Sequence, residues 1–315
     1  MNPLRPRQLA LTLVLFLIAM STAHAQAWVD PKGELSVGLR SDYQTSQGVW
    51  HGPVLVTGIP AQALSMGLSA EYVPVEKLSV GLMLSGNGAR YSGPQAIPGN
   101  TTIILAHGTQ DDGSFHWNVT DVDLDVHYQL YDGAVAVAPS LRARIPVTDY
   151  ENRGYAASGT GLKEVGLGVA LGRYGLGLDD LILQVGYTFS FVEKESGGGA
   201  RTEQYRTNRS DVDLSLSYLV TEKLALSLGA AFRYTHDGFD LEDYPALPSG
   251  DPLITWHDPV LKVNFLTPVA VASYQVSEAW SVTGRFGAVV WGQNTSNSLL
   301  FGLSVGWANN LAAAD

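Results

Sequence analysis

The sequence predicts an all-β protein: a transmembrane, antiparallel, up-and-down β-barrel of about twelve strands, preceded by a cleaved signal peptide. Three observations carry this. A period of two recurs from residue 33 almost to the end. Val122, Leu124, Val126, Tyr128 and Leu130 alternate with Asp121, Asp123, Asp125, His127 and Gln129; Leu299, Phe301, Leu303, Val305 and Trp307 alternate with Ser298, Gly302, Ser304 and Gly306. Strands apolar on one face and polar on the other are half-buried. A whole chain of them, with almost no helical pattern, closes into a sheet that is apolar outside and wet inside. Second, short and long connections alternate along the chain. Third, the first 25 residues read as a secretion signal.

That signal comes first in chain order. Arg5 and Arg7 form a basic start, Leu9 to Met20 an apolar run, and Ala23-His24-Ala25 a small-x-small cleavage site. Residues 1–25 are therefore expected to be removed, leaving 26–315 as one barrel. No later run is apolar for the ~18 residues a membrane helix needs.

The strands are expected at about 33–44, 61–74, 77–91, 115–131, 134–148, 161–173, 180–193, 208–220, 223–236, 257–275, 279–292 and 297–308. Each is a period-two run bounded by turn residues. Short turns fall at Val75-Glu76, Asp132-Gly133, Tyr174 to Asp179, Thr221-Glu222 and Val276 to Glu278. Long polar loops fall at 45–60, 92–114, 149–160, 194–207 and 237–256, while Gln293 to Ser296 is short. Short periplasmic turns and long outer loops are the habit of outer-membrane barrels, and an even strand count puts both termini in the periplasm. Aromatic residues near strand ends, such as Tyr72, Trp117, Tyr128, Tyr218, Trp280 and Trp291, suit two interfacial girdles.

The polar half of each strand would face a lumen. Its charged members are Arg40, Asp42, Glu71, Asp121, Asp123, Asp125, Arg142, Arg144, Glu164, Asp211, Asp213, Arg233, Lys262 and Arg285. These are the candidate solute-pathway residues. A tight Asp132-Gly133 turn would place Asp121 opposite Arg144 and Asp123 opposite Arg142; the Thr221-Glu222 turn would place Asp211 near Arg233. Opposed unlike charges stabilise a strand pair, and adjacent acidic and basic stripes set up a transverse field that orients a polar solute.

Composition narrows the function. The chain has no cysteine and a formal charge of −11. Thiolate zinc sites, iron–sulfur clusters and cysteine nucleophiles are absent, and nucleic acid is a poor partner for so acidic a protein. The run Gly166 to Gly172 has the wrong spacing for a dinucleotide loop. Asp111-Asp112-Gly113, and Asp237 with Asp240, Glu242 and Asp243, lack EF-hand spacing. His51, His107, His116, His127, His236 and His257 show no paired metal-ligand spacing. No cofactor and no metal are expected. A hydrolase would need a Ser and a His facing outward at the membrane edge; His127 and Ser140 would be neighbours, but both face inward.

The stretch Ala25-Gln-Ala-Trp28-Val-Asp-Pro31-Lys-Gly33-Glu34-Leu-Ser-Val resembles the start of a bacterial outer-membrane family associated with meta-pathway phenol degradation, as does the turn Tyr72-Val-Pro-Val-Glu-Lys77-Leu-Ser-Val. The resemblance implies a barrel and a transport role, with small aromatic or organic acids as solutes, and no catalytic residues. The layout is also similar to the long-chain fatty-acid and hydrocarbon channels. Those carry a long N-terminal plug, whereas only Gln26 to Lys32 precede the first strand here. That difference argues against a plug and against lipid-like ligands.

The expected function is therefore passive passage of small solutes through a charged lumen, in the outer membrane of a Gram-negative bacterium. The expected partners are membrane lipid, lipopolysaccharide, the barrel-assembly machinery and the solute. The competing readings are a structural or adhesive surface barrel working through its outer loops, an outer-membrane hydrolase, and a soluble β-sandwich.

Overall fold

The computed structural model describes residues 26–92, 110–196, 204–246 and 258–311. The expected signal peptide and much of the loops at 92–114, 194–207 and 237–256 lie outside these residues. The described chain forms β1 (Glu34–His51), β2 (Val54–Val75), β3 (Leu78–Tyr91), β4 (His116–Tyr128), β5 (Tyr131–Asp132), β6 (Ala136–Pro146), β7 (Glu164–Tyr174), β8 (Leu181–Val192), β9 (Arg209–Leu219), β10 (Leu224–Thr235), β11 (Asn264–Gln275), β12 (Trp280–Ala288), β13 (Trp291–Gln293) and β14 (Thr295–Asn310).

β5 continues β4, and β13 continues β12, each past a break of two residues. The fourteen segments therefore make a closed barrel of twelve antiparallel strands. β1 pairs with β2 on one side and with β14 on the other. Closure leaves no sheet edge, so every strand has its backbone groups paired, as hydrocarbon surroundings demand. The two chain ends meet on one rim: Glu34 faces Asn310, and the Leu311 amide donates to the Gly33 carbonyl at 2.9 Å. The short turns share that rim.

Alternation sorts the side chains as the sequence predicts. Leu39, Leu68, Leu82, Leu124, Leu167, Leu216, Leu228, Phe286 and Leu303 stand exposed on the outside. So large an apolar surface is untenable in water and suits lipid. Exposed aromatics border it in two belts. Tyr72, Tyr128, Tyr218, Tyr274 and Trp280 lie toward the short-turn rim; Tyr43, Trp117, Phe191, Tyr234 and Trp291 lie toward the other.

Three expectations are corrected. Residues 45–60 are not a loop: β1 and β2 run 18 and 22 residues and turn only at Gly52-Pro53. In the hairpin apolar and polar residues stop alternating strictly, with Val54, Leu55 and Val56 in one run, so the period of two fades there although the ladder continues, with a bulge after Ser46. Residues 258–263, expected near the start of the next strand, do not belong to it. Asp258–Val260 form a 3-10 turn around Pro259, and β11 begins at Asn264. Finally, the β4–β6 turn is longer than two residues. Gly133 to Val135 form it, and a bulge at Gln129-Leu130 precedes it. Asp121 therefore faces Pro146, Asp123 faces Arg144, and Asp125 faces Arg142. The Asp211–Arg233 pairing across the β9–β10 turn is as expected.

Candidate functional site

The inner wall carries an unbroken chain of alternating charge from β4 to β10. Arg142 lies 3.8 Å from Asp125 and donates to Asp123 at 2.9 Å. Arg144 donates to the same Asp123 oxygen at 2.9 Å and lies 3.7 Å from Glu164. Glu164 in turn accepts from Arg209, whose Nε is 3.9 Å from Asp211. Asp211 accepts from Arg233 at 2.7 Å. Asp123 is 1% exposed, so its pairing with two guanidiniums is what makes its burial tolerable. Asp213 sits on the same face of β9, opposite Ala231.

On the far wall, Asp42 lies between two arginines. Arg40 and Arg285 each donate to it through Nε at 2.6 Å. Gly302 stands opposite Asp42 and Arg285 in the ladder, and a Cβ there would come within 2.4 Å of Asp42 Oδ1. The position needs glycine to let the pair close. Lys262 departs from its expected place. It lies before β11, and its ammonium sits 6.0 Å over the ring of outward-facing Tyr234.

The N-terminal segment crosses the barrel at the short-turn rim. It leaves β1 and reaches β6, β7 and β8, which stand opposite β1 in the ring. The Ala27 amide donates to Gln184 at 3.2 Å and the Val29 amide to Gln129 at 3.1 Å. Ala27 is fully buried against Ala136 and Ala170, and Trp28 packs on Tyr174 with ring centroids 4.9 Å apart. The expectation that so short a segment could not plug the barrel is therefore overturned; a few residues suffice to span this mouth. Asp30 lies on this crossbar. Burial, helped by the nearby charges of Glu34 and Glu71, pushes its carboxyl up to about 8.

At the opposite rim, the loop between β6 and β7 folds inward. The Asp111 carboxylate accepts the Tyr155 and Ala156 amides at 3.1 and 2.8 Å. Asn87 donates to the Ser158 carbonyl at 2.8 Å, Asn118 to its hydroxyl at 2.9 Å, and the Gly154 amide to Asp258 at 2.9 Å. Ala156 is wholly buried beside Val49, Ile59, Ala89 and Tyr91. Tyr150 donates to Asp121 at 3.2 Å, and burial beside that carboxylate pushes the phenol up to about 12. Asp111 thus serves as a loop latch. Among the described residues no cluster of three or more His, Asp or Glu side chains is arranged to hold a metal.

Between crossbar and loop lies a cavity of ≈130 Å³, lined by Gln26, Arg40, Glu71, Asp125, His127 and Arg285 among many glycines and serines. Sequence reasoning omitted Arg209 and His127 from the candidate set, although each shares the parity of its neighbours Asp211 and Asp125. Gln26, Trp28 and Tyr150 lie outside any periodic run and carry no such signal.

The architecture is that of an outer-membrane β-barrel. Among solved structures, an outer membrane channel from Pseudomonas putida F1 is similar to it, with a TM-score of 0.68, 12% identity, and coverage of 89% of this chain and 97% of that one. The NanC porin is similar with a TM-score of 0.50, 11% identity, and coverage of 86% and 98%. At such identities the likeness is one of fold. No family model matches the chain, and no curated protein matches it.

Proposed function

We propose that this protein is an outer-membrane channel through which small polar organic solutes, organic acids among them, pass without energy input. The observation that carries this reading is the internal cavity, set inside a closed barrel whose walls are cut back to glycine and serine and edged with ordered charges. A barrel needed only as an anchor would gain stability by filling that space with side chains. The crossbar and the inward loop narrow the two mouths, which suits a selective rather than a general pore. In this reading the short-turn rim, with both chain ends, faces the periplasm. The likeness in fold to channels and porins supports the same role. The phenol-degradation resemblance would make aromatic acids the first solutes to try.

The test is reconstitution of the purified barrel in planar bilayers, with folding checked by heat-modifiable gel migration. Discrete conductance steps are expected. A correctly folded barrel that stays silent across solutes and voltages would overturn the channel reading in favour of a surface role.

A further inference from the structure

The cavity is electrically two-ended. At one end Arg40 and Arg285 share the single carboxylate of Asp42, which leaves one positive charge uncompensated. The Arg40 side chain remains 44% exposed on the inner wall, and both arginines line the cavity. At the other end are Glu71, Asp125 and His127. In the ladder Glu71 faces Gly81, and Gly81 faces Asp125, so no side chain stands between the two carboxylates.

Among the described residues, two buried polar atoms at this end, Glu71 Oε1 and His127 Nδ1, have no hydrogen-bond partner, and His127 is only 8% exposed. Buried polar atoms are nearly always satisfied, so unmatched ones lining a cavity point to a ligand that matches them. Between the ends the wall is Gly38, Gly67 and Ser69, which leaves room for a small body. Gly67, the ladder partner of Arg40, is four residues from Glu71 on β2. That is roughly 13 Å of backbone at ~3.3 Å per residue, before the arginine reaches inward.

We propose that this cavity binds a small zwitterion, with its ammonium toward Glu71 and Asp125 and its carboxylate toward Arg40 and Arg285. A simple anion would gain the arginines but face two carboxylates. A simple cation would meet the reverse. A short carbon chain carrying both charges satisfies both ends at once. The assignment of this ligand as a transported solute rests on the channel reading; its binding does not.

The test compares three probes of similar length, 4-aminobutyrate, butyrate and butylammonium, titrated calorimetrically into the full barrel in detergent. The zwitterion is expected to bind roughly tenfold or more tightly than either singly charged probe, because each end adds a charge-assisted hydrogen bond. Glu71→Gln and Arg40→Gln are each expected to remove that preference, and Arg40→Lys to keep part of it. Each variant must show the same heat-modifiable migration as the parent. Equal affinity for the three probes, or no binding by the folded barrel, overturns the site. Conductance is measured on the same preparations. A barrel that conducts without preferring the zwitterion loses the site and keeps the channel; one that binds it without conducting keeps the site and loses the channel.

Discussion

Arg209 on β9 reaches over β8 to hydrogen-bond Glu164 on β7. Its own ladder partner on β8 is Ser190, a side chain small enough to pass beneath it. Both charges are nearly buried, at 10% and 8% side-chain exposure. The contact joins two halves of the inner charge chain: without it, Asp123–Arg144 and Asp211–Arg233 would be separate pairs.

Removing one partner of a buried pair strands the other charge, at a cost of about 3–5 kcal/mol. Glu164→Gln should therefore lower the unfolding free energy of the barrel in lipid vesicles by that amount, read from urea midpoints. Glu164→Met combined with Arg209→Met should recover most of the loss, since the pair itself contributes little beyond mutual compensation. A Glu164→Gln barrel as stable as the parent would show that Asp211, 3.9 Å away, or water compensates the Arg209 guanidinium without Glu164.

How far the sequence reveals this site depends on the kind of information involved. Parity is local, so Asp211, Arg233, Asp42 and Arg285 declare their face directly. Register is not local: it depends on the turn, and three turn residues plus a bulge moved Asp123 from Arg142 to Arg144 as its direct partner. Even so, Arg142 still reaches Asp123 diagonally, because its side chain is long. The crossbar was hidden for a different reason. Gln26 to Lys32 have no regular structure, and their place is set by Trp28 meeting a gap at Gly172 on β7, which only the folded barrel brings together.

That gap yields a second prediction. A Cβ at Gly172 would lie 2.4 Å from the Trp28 ring, far inside contact distance. Gly172→Val should therefore expel Trp28 while leaving the strand paired, since valine suits a strand. Acrylamide should then quench Trp28 more readily, with a Trp28→Phe barrel as reference, and unitary conductance should rise. Deleting Gln26 to Pro31 should raise conductance similarly. Displaced Trp28 with unchanged conductance would mean that the crossbar does not limit the pathway.

The crossbar should also respond to pH, through Asp30. Its carboxyl is pushed up to about 8 from an ordinary value of 3.8, by burial first and then by the charges of Glu34 and Glu71. Between those values the docked segment holds a proton that the undocked segment has given up. By linkage, docking is strongest below the lower value, weakens steadily as pH rises, and levels off above the upper one. The amides of Ala27 and Val29, which donate to Gln184 and Gln129, report this directly. Their protection against hydrogen exchange, corrected for the intrinsic effect of base, should fall from about pH 5 to about pH 8 and then flatten. Asp30→Asn cannot ionise, so its protection should stay level and exceed the parent's at neutral pH. Parallel pH profiles for the two barrels would show that the crossbar is held independently of Asp30.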